Sequence, residues 1–342
     1  MSMNEPDINP DEQQKPPRIR KSVAIIVSLA VVVAIVVALV LAFLPSNESN
    51  PSSEAEEYAS LGLEEFSIGN YSGAIYYFNL SIEFDPNGAY YSGRGMAYYA
   101  LGQMSKALAD IDQSIQLNPD QAITYLWRGE IYYQLGQMEM AIADYNQSIA
   151  LDSSDADAYH DRGVAYYRLG EMDSAVADFS QAIALDANSS SCYMWRGMTY
   201  YNLSQMDLAL ADLNQSIALS PYDAELYCFR GIIYYDLSQM TQALTDFNQS
   251  IELDPRYAHG YYWRGKVHYG LNEMAPALAD LNQSIELRSN YAYAYQYRGM
   301  VYQALGEEEL AIADYQKCLT LDPDDEVRQE VEGYLQELGV VP

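Results

Sequence analysis

Residues 88–121 read GAYYSGRGMAYYALGQMSKALADIDQSIQLNPDQ, and nearly the same line is written again from Ala122, Ala156, Ser190, Ala224, Ala258 and Ala292, a period of 34 residues. Within the first copy, Tyr91, Gly95, Tyr98 and Leu101 fall at helical spacing, and Gly102 supplies the left-handed residue that ends a helix. Met104, Ala107, Leu108, Ile111 and Ile115 repeat the spacing. Asn118-Pro119 then closes the second helix, because proline disfavours a helical residue before it. Each unit is therefore a helical hairpin. Helices of about a dozen residues are marginal alone in water, so each hairpin must bury its apolar stripe against the next. Gly95 and Ala107 permit that approach, since neither side chain is large enough to hold two helices apart.

Two charged columns run through the copies. Arg94, Arg128, Arg162, Arg196, Arg230, Arg264 and Arg298 each precede a Gly, and sixteen residues later stand Asp110, Asp144, Asp178, Asp212, Asp246, Asp280 and Asp314. A partly buried guanidinium needs an acceptor, and a carboxylate matches its fork. A shorter unit before the seven, Ala55 to Asn87, has Leu61 in place of Arg and Tyr77 in place of Asp, so both partners vanish together. Pairing each Arg with the preceding copy's Asp would set Arg94 against Tyr77 and Asp314 against Glu332, whereas pairing within a copy leaves no orphan. Seven carboxylates at one fixed spacing indicate structural ion pairs, not catalysis.

The residues Tyr91, Gly95, Tyr98, Ala107, Ile111 and Pro119, recurring every 34, resemble the tetratricopeptide repeat family. Tyr58, Gly62, Ala74, Phe78 and Pro86 hold the corresponding places in the shorter unit, so the resemblance covers eight repeats over residues 55–325. It implies an all-α fold, a right-handed superhelical solenoid of antiparallel helix pairs. Residues 326–342 read as a capping helix and tail, the helix from Glu326 to Leu338 carrying the charged face that a terminal cap requires. The resemblance also implies a peptide or helix of a partner protein held in a concave groove lined by the first helices. Some members grip acidic chaperone tails with a clamp of Lys, Arg and Asn. Here Ala89, Ser92, Met96, Ile123, Leu126 and Glu130 occupy those places, so that carboxylate clamp is absent.

Ahead of the repeats, Ser22 to Leu44 carry no charge and are nearly all Val, Ala, Ile and Leu. As a helix the run measures about 34 Å, enough to span a bilayer. Lys15, Arg18, Arg20 and Lys21 precede it and the next basic residue is Arg94, so the positive-inside rule makes residues 1–21 a short cytoplasmic tail. Residues 22–44 are read as a single transmembrane helix, 45–54 as a flexible linker, and the repeats as lying outside the cytoplasmic membrane. A cleaved signal peptide has a shorter apolar region, and Val40-Leu41-Ala42 is a weak cleavage site.

The formal net charge of -30 argues against nucleic acid as a partner. Thirty-three Tyr against 7 Phe suggests rings that keep one polar end near water. Cys192, Cys228 and Cys318 are too few for a disulfide framework and read as small apolar residues. Asp157, His160 and Asp161 share a helical turn but read as a solvated acidic face. Residues 152–157 lack the central Gly and closing Glu of a calcium loop. Asn146, Asn214, Asn248 and Asn282 each begin Asn-Gln-Ser inside a helix, where repeat identity explains them better than glycosylation. No metal, cofactor or catalytic constellation is expected.

The expected binding surface is one stripe on the first helices: Met194, Met198 and Tyr201, then Cys228, Ile232 and Tyr235, then Tyr262, Lys266 and Tyr269. Each trio has i, i+4, i+7 spacing and so shares a helical face, beside residues of the Tyr193, Gly197 and Tyr200 kind that are assigned to the core. Adaptable Met and amphipathic Tyr suit a partner helix or strand. The expected function is a membrane-tethered scaffold for protein partners, with a glycan-binding envelope protein and a self-associating structural array as alternatives.

Overall fold

The computed structural model describes residues 51–340, and within them the chain is all-α. A first compact unit, ending at Asp186, holds α1 (Pro51–Ser67), α2 (Tyr71–Phe84), α3 (Gly88–Ala100), α4 (Met104–Leu117), α5 (Ala122–Gln134), α6 (Met138–Leu151), α7 (Ala156–Arg168) and α8 (Met172–Leu185). A second, from Ala187, holds α9 (Ser190–Asn202), α10 (Met206–Leu219), α11 (Ala224–Asp236), α12 (Met240–Leu253), α13 (Ala258–Gly270), α14 (Met274–Leu287), α15 (Ala292–Ala304), α16 (Glu308–Thr320) and α17 (Asp325–Glu337). Within each unit consecutive helices pair as hairpins, and the second helix of one hairpin packs on the first helix of the next.

The small residues set the spacing. Ala107, Ala141 and Ala175 in the first unit, and Ala209, Ala243, Ala277 and Ala311 in the second, are fully buried at the crossing of each helix pair. Around them lie Ile111, Tyr145 and Phe179, or Leu213, Phe247, Leu281 and Tyr315, all without exposed surface. In the second unit α17 closes the core with Val327, Val331 and Leu335.

The turn inside each hairpin needs one residue of positive φ. Gly102, Gly136, Gly170 and Gly306 supply it at φ 72 to 78°, but Ser204, Ser238 and Asn272 take the same conformation at φ 59, 59 and 62°. An L side chain pays sterically in that region, so Ser238→Gly is expected to raise stability by about 0.5–1 kcal/mol, less the extra entropy of an unfolded Gly. A higher urea midpoint checks this, and a lower one would mean the hydroxyl holds the turn better than backbone freedom does.

One boundary differs from the sequence reading. Residues 51–54, assigned above to the linker 45–54, are helical and belong to α1. The tail 1–21, the apolar run 22–44 and residues 45–50 lie outside the described residues. Among the described residues no helix is long and apolar enough to cross a membrane.

Candidate partner-binding face

The Arg column ties each hairpin together and, within a unit, reaches the preceding one. Arg94 Nε donates to Asp110 Oδ2 at 2.7 Å and Nη2 donates to Oδ1 at 2.6 Å, while Nη1 donates to Asn79 Oδ1 of the preceding hairpin at 2.7 Å. Arg128 repeats this with Asp144 and Asp112, Arg162 with Asp178 and Asn146, and Arg230 with Asp246 and Asn214. Arg264 bonds Asp280 and Asn248, Arg298 bonds Asp314 and Asn282, and Arg196 grips Asp212 at the same two points. The Asp side chains are buried. Their hydrogen bonds hold the guanidinium of Arg230 above its ordinary pKa, against the opposing cost of burial, and the other six behave alike.

The Tyr columns assigned to the core belong instead to this ladder. Each Arg lies over the ring of the Tyr three residues before it, 5.3 to 5.7 Å from the ring centre. Arg162, Arg196, Arg230 and Arg298 also approach the Tyr four residues after, at 5.9 to 6.0 Å. Tyr193 and Tyr200 are thus half-buried around Arg196 rather than fully enclosed. Cation–π contact explains why Tyr and not Phe fills these places: the face meets the cation while the hydroxyl stays near water. The Asn that opens each Asn-Gln-Ser is exposed on its helix and is the Arg's third acceptor. Its recurrence sixteen residues before Arg162, Arg230, Arg264 and Arg298 was the available signal.

The predicted stripe is mostly covered. Met198, Tyr201, Cys228, Tyr262 and Lys266 are buried, and Met194, Ile232, Tyr235 and Tyr269 are half-buried, so the expected separation from the packing surface does not hold. A first helix meets its own partner on one side and neighbouring hairpins on others, which leaves little of its circumference free. The stripe's C-terminal part converges on Lys266. Its ammonium sits 4.4 Å from the ring centre of Trp263, 4.9 Å from Tyr297, 5.4 Å from Tyr235 and 6.0 Å from Tyr262. Tyr262 in turn meets Tyr297 and Tyr293 edge-on or tilted at 5.7 and 6.4 Å, and the Tyr293 hydroxyl donates to Asp324 at 2.5 Å. Half-buried Tyr235, Tyr269, Tyr293 and Tyr297 form an aromatic rim around one enclosed cation.

In the first unit the same face is tied by polar bonds. The Tyr99 hydroxyl donates to Glu130 at 2.8 Å, and Arg168 Nε donates to the Tyr133 hydroxyl at 3.3 Å. His160 Nδ1 lies 2.9 Å from Asp161.

Family profiles described as TPR repeat match residues 95–136, 129–170 and 231–272. Two more, both described as tetratricopeptide repeat, match 156–189 and 292–325, and 190–223 and 258–291. The chain belongs to the tetratricopeptide repeat family. A curated relative, Protein STIP1 homolog of Dictyostelium discoideum, is 35% identical over 79 residues, 23% of this chain and 14% of the relative's length. Among solved structures, the APC/C hetero-tetramer Cut9-Hcn1 matches with TM-score 0.61 at 21% identity over 82% of this chain and 56% of that one. A tetratricopeptide repeat protein from Parabacteroides merdae matches with TM-score 0.59 at 19% identity over 73% and 99%. Yeast Tom70 matches with TM-score 0.56 at 16% identity over 87% and 66%. At these identities the likeness concerns the fold.

Among the described residues, chemistry outside the ladder is sparse in this tetratricopeptide repeat protein. Cys192, Cys228 and Cys318 form no disulfide and are buried, and burial pushes the thiols of Cys228 and Cys318 up, that of Cys318 to about 12. Such thiols are inert nucleophiles. Asp152 accepts from Ser154, which holds its carboxyl below the ordinary range. Burial and the nearby Asp157 and Asp161 push Asp155 the other way.

Proposed function

We propose that the chain is a membrane-tethered adaptor, with residues 22–44 crossing the membrane and the repeats outside the cytoplasm, and that the first-helix face holds a segment of a partner protein. Tetratricopeptide repeat proteins generally mediate protein–protein interaction. The observation that carries the reading is the placement of charge. The first helices α3 to α15 contain only Glu130, Asp157, Asp161, Glu225 and Asp236 as acids, in a chain of net charge -30. Of these, Glu130 accepts from Tyr99, Asp236 from Tyr201, and Asp161 is bonded to His160. Outside α1, which holds Glu54, Glu56, Glu57, Glu64 and Glu65, and the capping helix α17, the remaining acids of the repeats lie on second helices and in loops, where they keep the array soluble and leave the face of α3 to α15 aromatic and weakly charged. An aromatic, weakly charged face binds through desolvated rings, so its affinity depends little on salt.

Affinity capture from detergent extracts tests this. We expect a stoichiometric protein partner retained at roughly 0.5 M salt, where charge contacts between exposed groups are screened. Changing half-buried Met194, Ile232 and Tyr269 together to Ser should weaken capture at least roughly tenfold in protein that still melts cooperatively, at a midpoint lowered because Ile232 and Tyr269 also pack against the core. Unchanged capture would remove this face, and retention on cell-wall glycan without a protein partner would favour the glycan reader instead.

A further inference from the structure

The seven arginines of the ladder each meet a buried Asp, whereas among the described residues no carboxylate pairs with Arg288. Arg288 ends α14, where the preceding second helices end at Asn118, Asp152, Asp186, Ser220 and Asp254. The carbonyl end of a helix favours a cation, but five helices of the same kind finish without one, so the dipole does not explain the exchange. Arg288 is half-buried. Its Nη1 donates to His259 Nε2 at 3.1 Å, and the guanidinium lies 4.8 Å from the ring centre of Tyr291. Arginine can only donate, so His259 presents a lone pair and is neutral. The guanidinium keeps its charge and most of its donors uncommitted to the protein, a costly state for a group partly withdrawn from water.

The residues around it give up local stability as well. Asp155, Ser189 and Asp223 accept from the opening N–H groups of α7, α9 and α11, but Tyr257 and Tyr291 stand in the same places before α13 and α15 and make no such bond. His259 stands where earlier copies have Asp157 and Glu225, and the rings of Tyr257 and Tyr291 flank it at 5.4 and 5.0 Å. At one point in the array, acids and caps are replaced by aromatic rings around one arginine. A local rule broken without a local gain points to function. The cluster also runs into the aromatic rim: Tyr291 meets Tyr262 at 4.9 Å and Tyr293 at 5.8 Å, and Tyr262 is one of the rings around Lys266. An occupant of the rim that extends past Tyr293 meets Arg288.

The fork of a guanidinium matches an oxyanion. A net charge of -30 opposes a free, doubly charged phosphate more than one carboxylate held by apolar contacts beside it. This is not the first-helix clamp whose places are filled by other residues, because Arg288 follows a second helix. We propose that Arg288, held by His259 and Tyr291, anchors a carboxylate of the partner segment, either an acidic side chain or a chain end. The inference rests on the partner-binding reading above.

The test adds N-acetylphenylalanine, its primary amide or phenyl phosphate to the full chain in detergent at neutral pH and one ionic strength, and reads binding by saturation transfer above a detergent background. We expect the acid to bind at least roughly tenfold more tightly than the amide, and the phosphate no more tightly than the acid. Arg288→Gln should abolish the acid's advantage and weaken partner capture, and Arg288→Lys, which keeps the charge without the fork, should retain part of both. Arg256→Gln removes the same charge from an exposed turn and should change neither. Equal binding of acid and amide, an advantage kept in Arg288→Gln, or one lost equally in Arg256→Gln would overturn the site. Tighter binding of the phosphate would overturn the carboxylate. Partner capture undiminished by Arg288→Gln would keep the adaptor and overturn the anchor, whereas an acid preference in a chain that captures no protein would remove the adaptor and, with it, the assignment to a partner segment.

Discussion

Replacing Asp246 by Ala is expected to cost about 3 kcal/mol of stability, because it strands a guanidinium whose two best acceptors are gone. Asp246 is 3% exposed, and Arg230 bonds it through Nε at 2.8 Å and Nη2 at 2.7 Å. Asn214 still accepts from Nη1 in the variant, but a neutral amide oxygen cannot balance a cation that burial has partly stripped of water. Arg230→Ala should cost a similar amount by leaving the carboxylate enclosed. The double change Arg230→Met with Asp246→Leu should recover most of the loss, since apolar side chains of similar volume replace a buried pair at little net cost. The first hairpin already does this with Leu61 and Tyr77. Urea unfolding of the two singles and the double decides it: additive losses would mean the pair is not coupled. The pKa of Arg230 is raised on folding, so its contribution is present below the unfolded value and is lost only as pH rises through the folded one. Melts across the neutral range should therefore see the guanidinium charged throughout. By contrast, Asp322→Asn should change little, because that partner of Arg328 is 93% exposed and asparagine tolerates the positive φ of 54° there.

The hairpins were legible because each carries its own punctuation, a turn residue after the first helix and a turn rich in Pro, Asp, Ser or Asn after the second. The Arg and Asp columns were legible for a different reason: the short first repeat lacks both at once. The Tyr columns were not. Tyr193 and Tyr200 lie three before and four after Arg196, so helical spacing puts them on one side whether they enter a core or sandwich a cation. The stripe through Met198 and Tyr201 failed for a topological reason. Periodicity assumes a helix with one covered face, whereas the first helices here are flanked on several sides. The cage around Lys266 draws Tyr235 from α11, Trp263 from its own helix and Tyr297 from α15. Residues so far apart in the chain share no local pattern.

Gly129→Ala is expected to cost about 2 kcal/mol, although alanine is the better helix former by nearly 1 kcal/mol. A Cβ at 129 would sit 2.6 and 2.7 Å from two ring carbons of Tyr145 and 3.2 Å from the Ala141 carbonyl oxygen. Tyr145 has no exposed surface, so its ring has nowhere to go without moving α6 away from α5. The same substitution at Gly197 meets the Ala209 carbonyl oxygen at 3.2 Å and Leu213 Cγ at 3.3 Å, contacts that a few tenths of an ångström relieve. There the gain in helix propensity offsets the crowding, and the change in stability should stay within about 1 kcal/mol of zero. The difference lies in the facing residue, an aromatic ring in one hairpin and a branched aliphatic chain in the other. Tyr145→Leu should therefore relieve Gly129→Ala, leaving the double variant more stable than the two single losses predict. Urea midpoints of the four proteins measure this. Equal losses at 129 and 197 would place the cause in the backbone, and no relief by Tyr145→Leu would show that the Ala141 carbonyl, not the ring, excludes a side chain from the crossing.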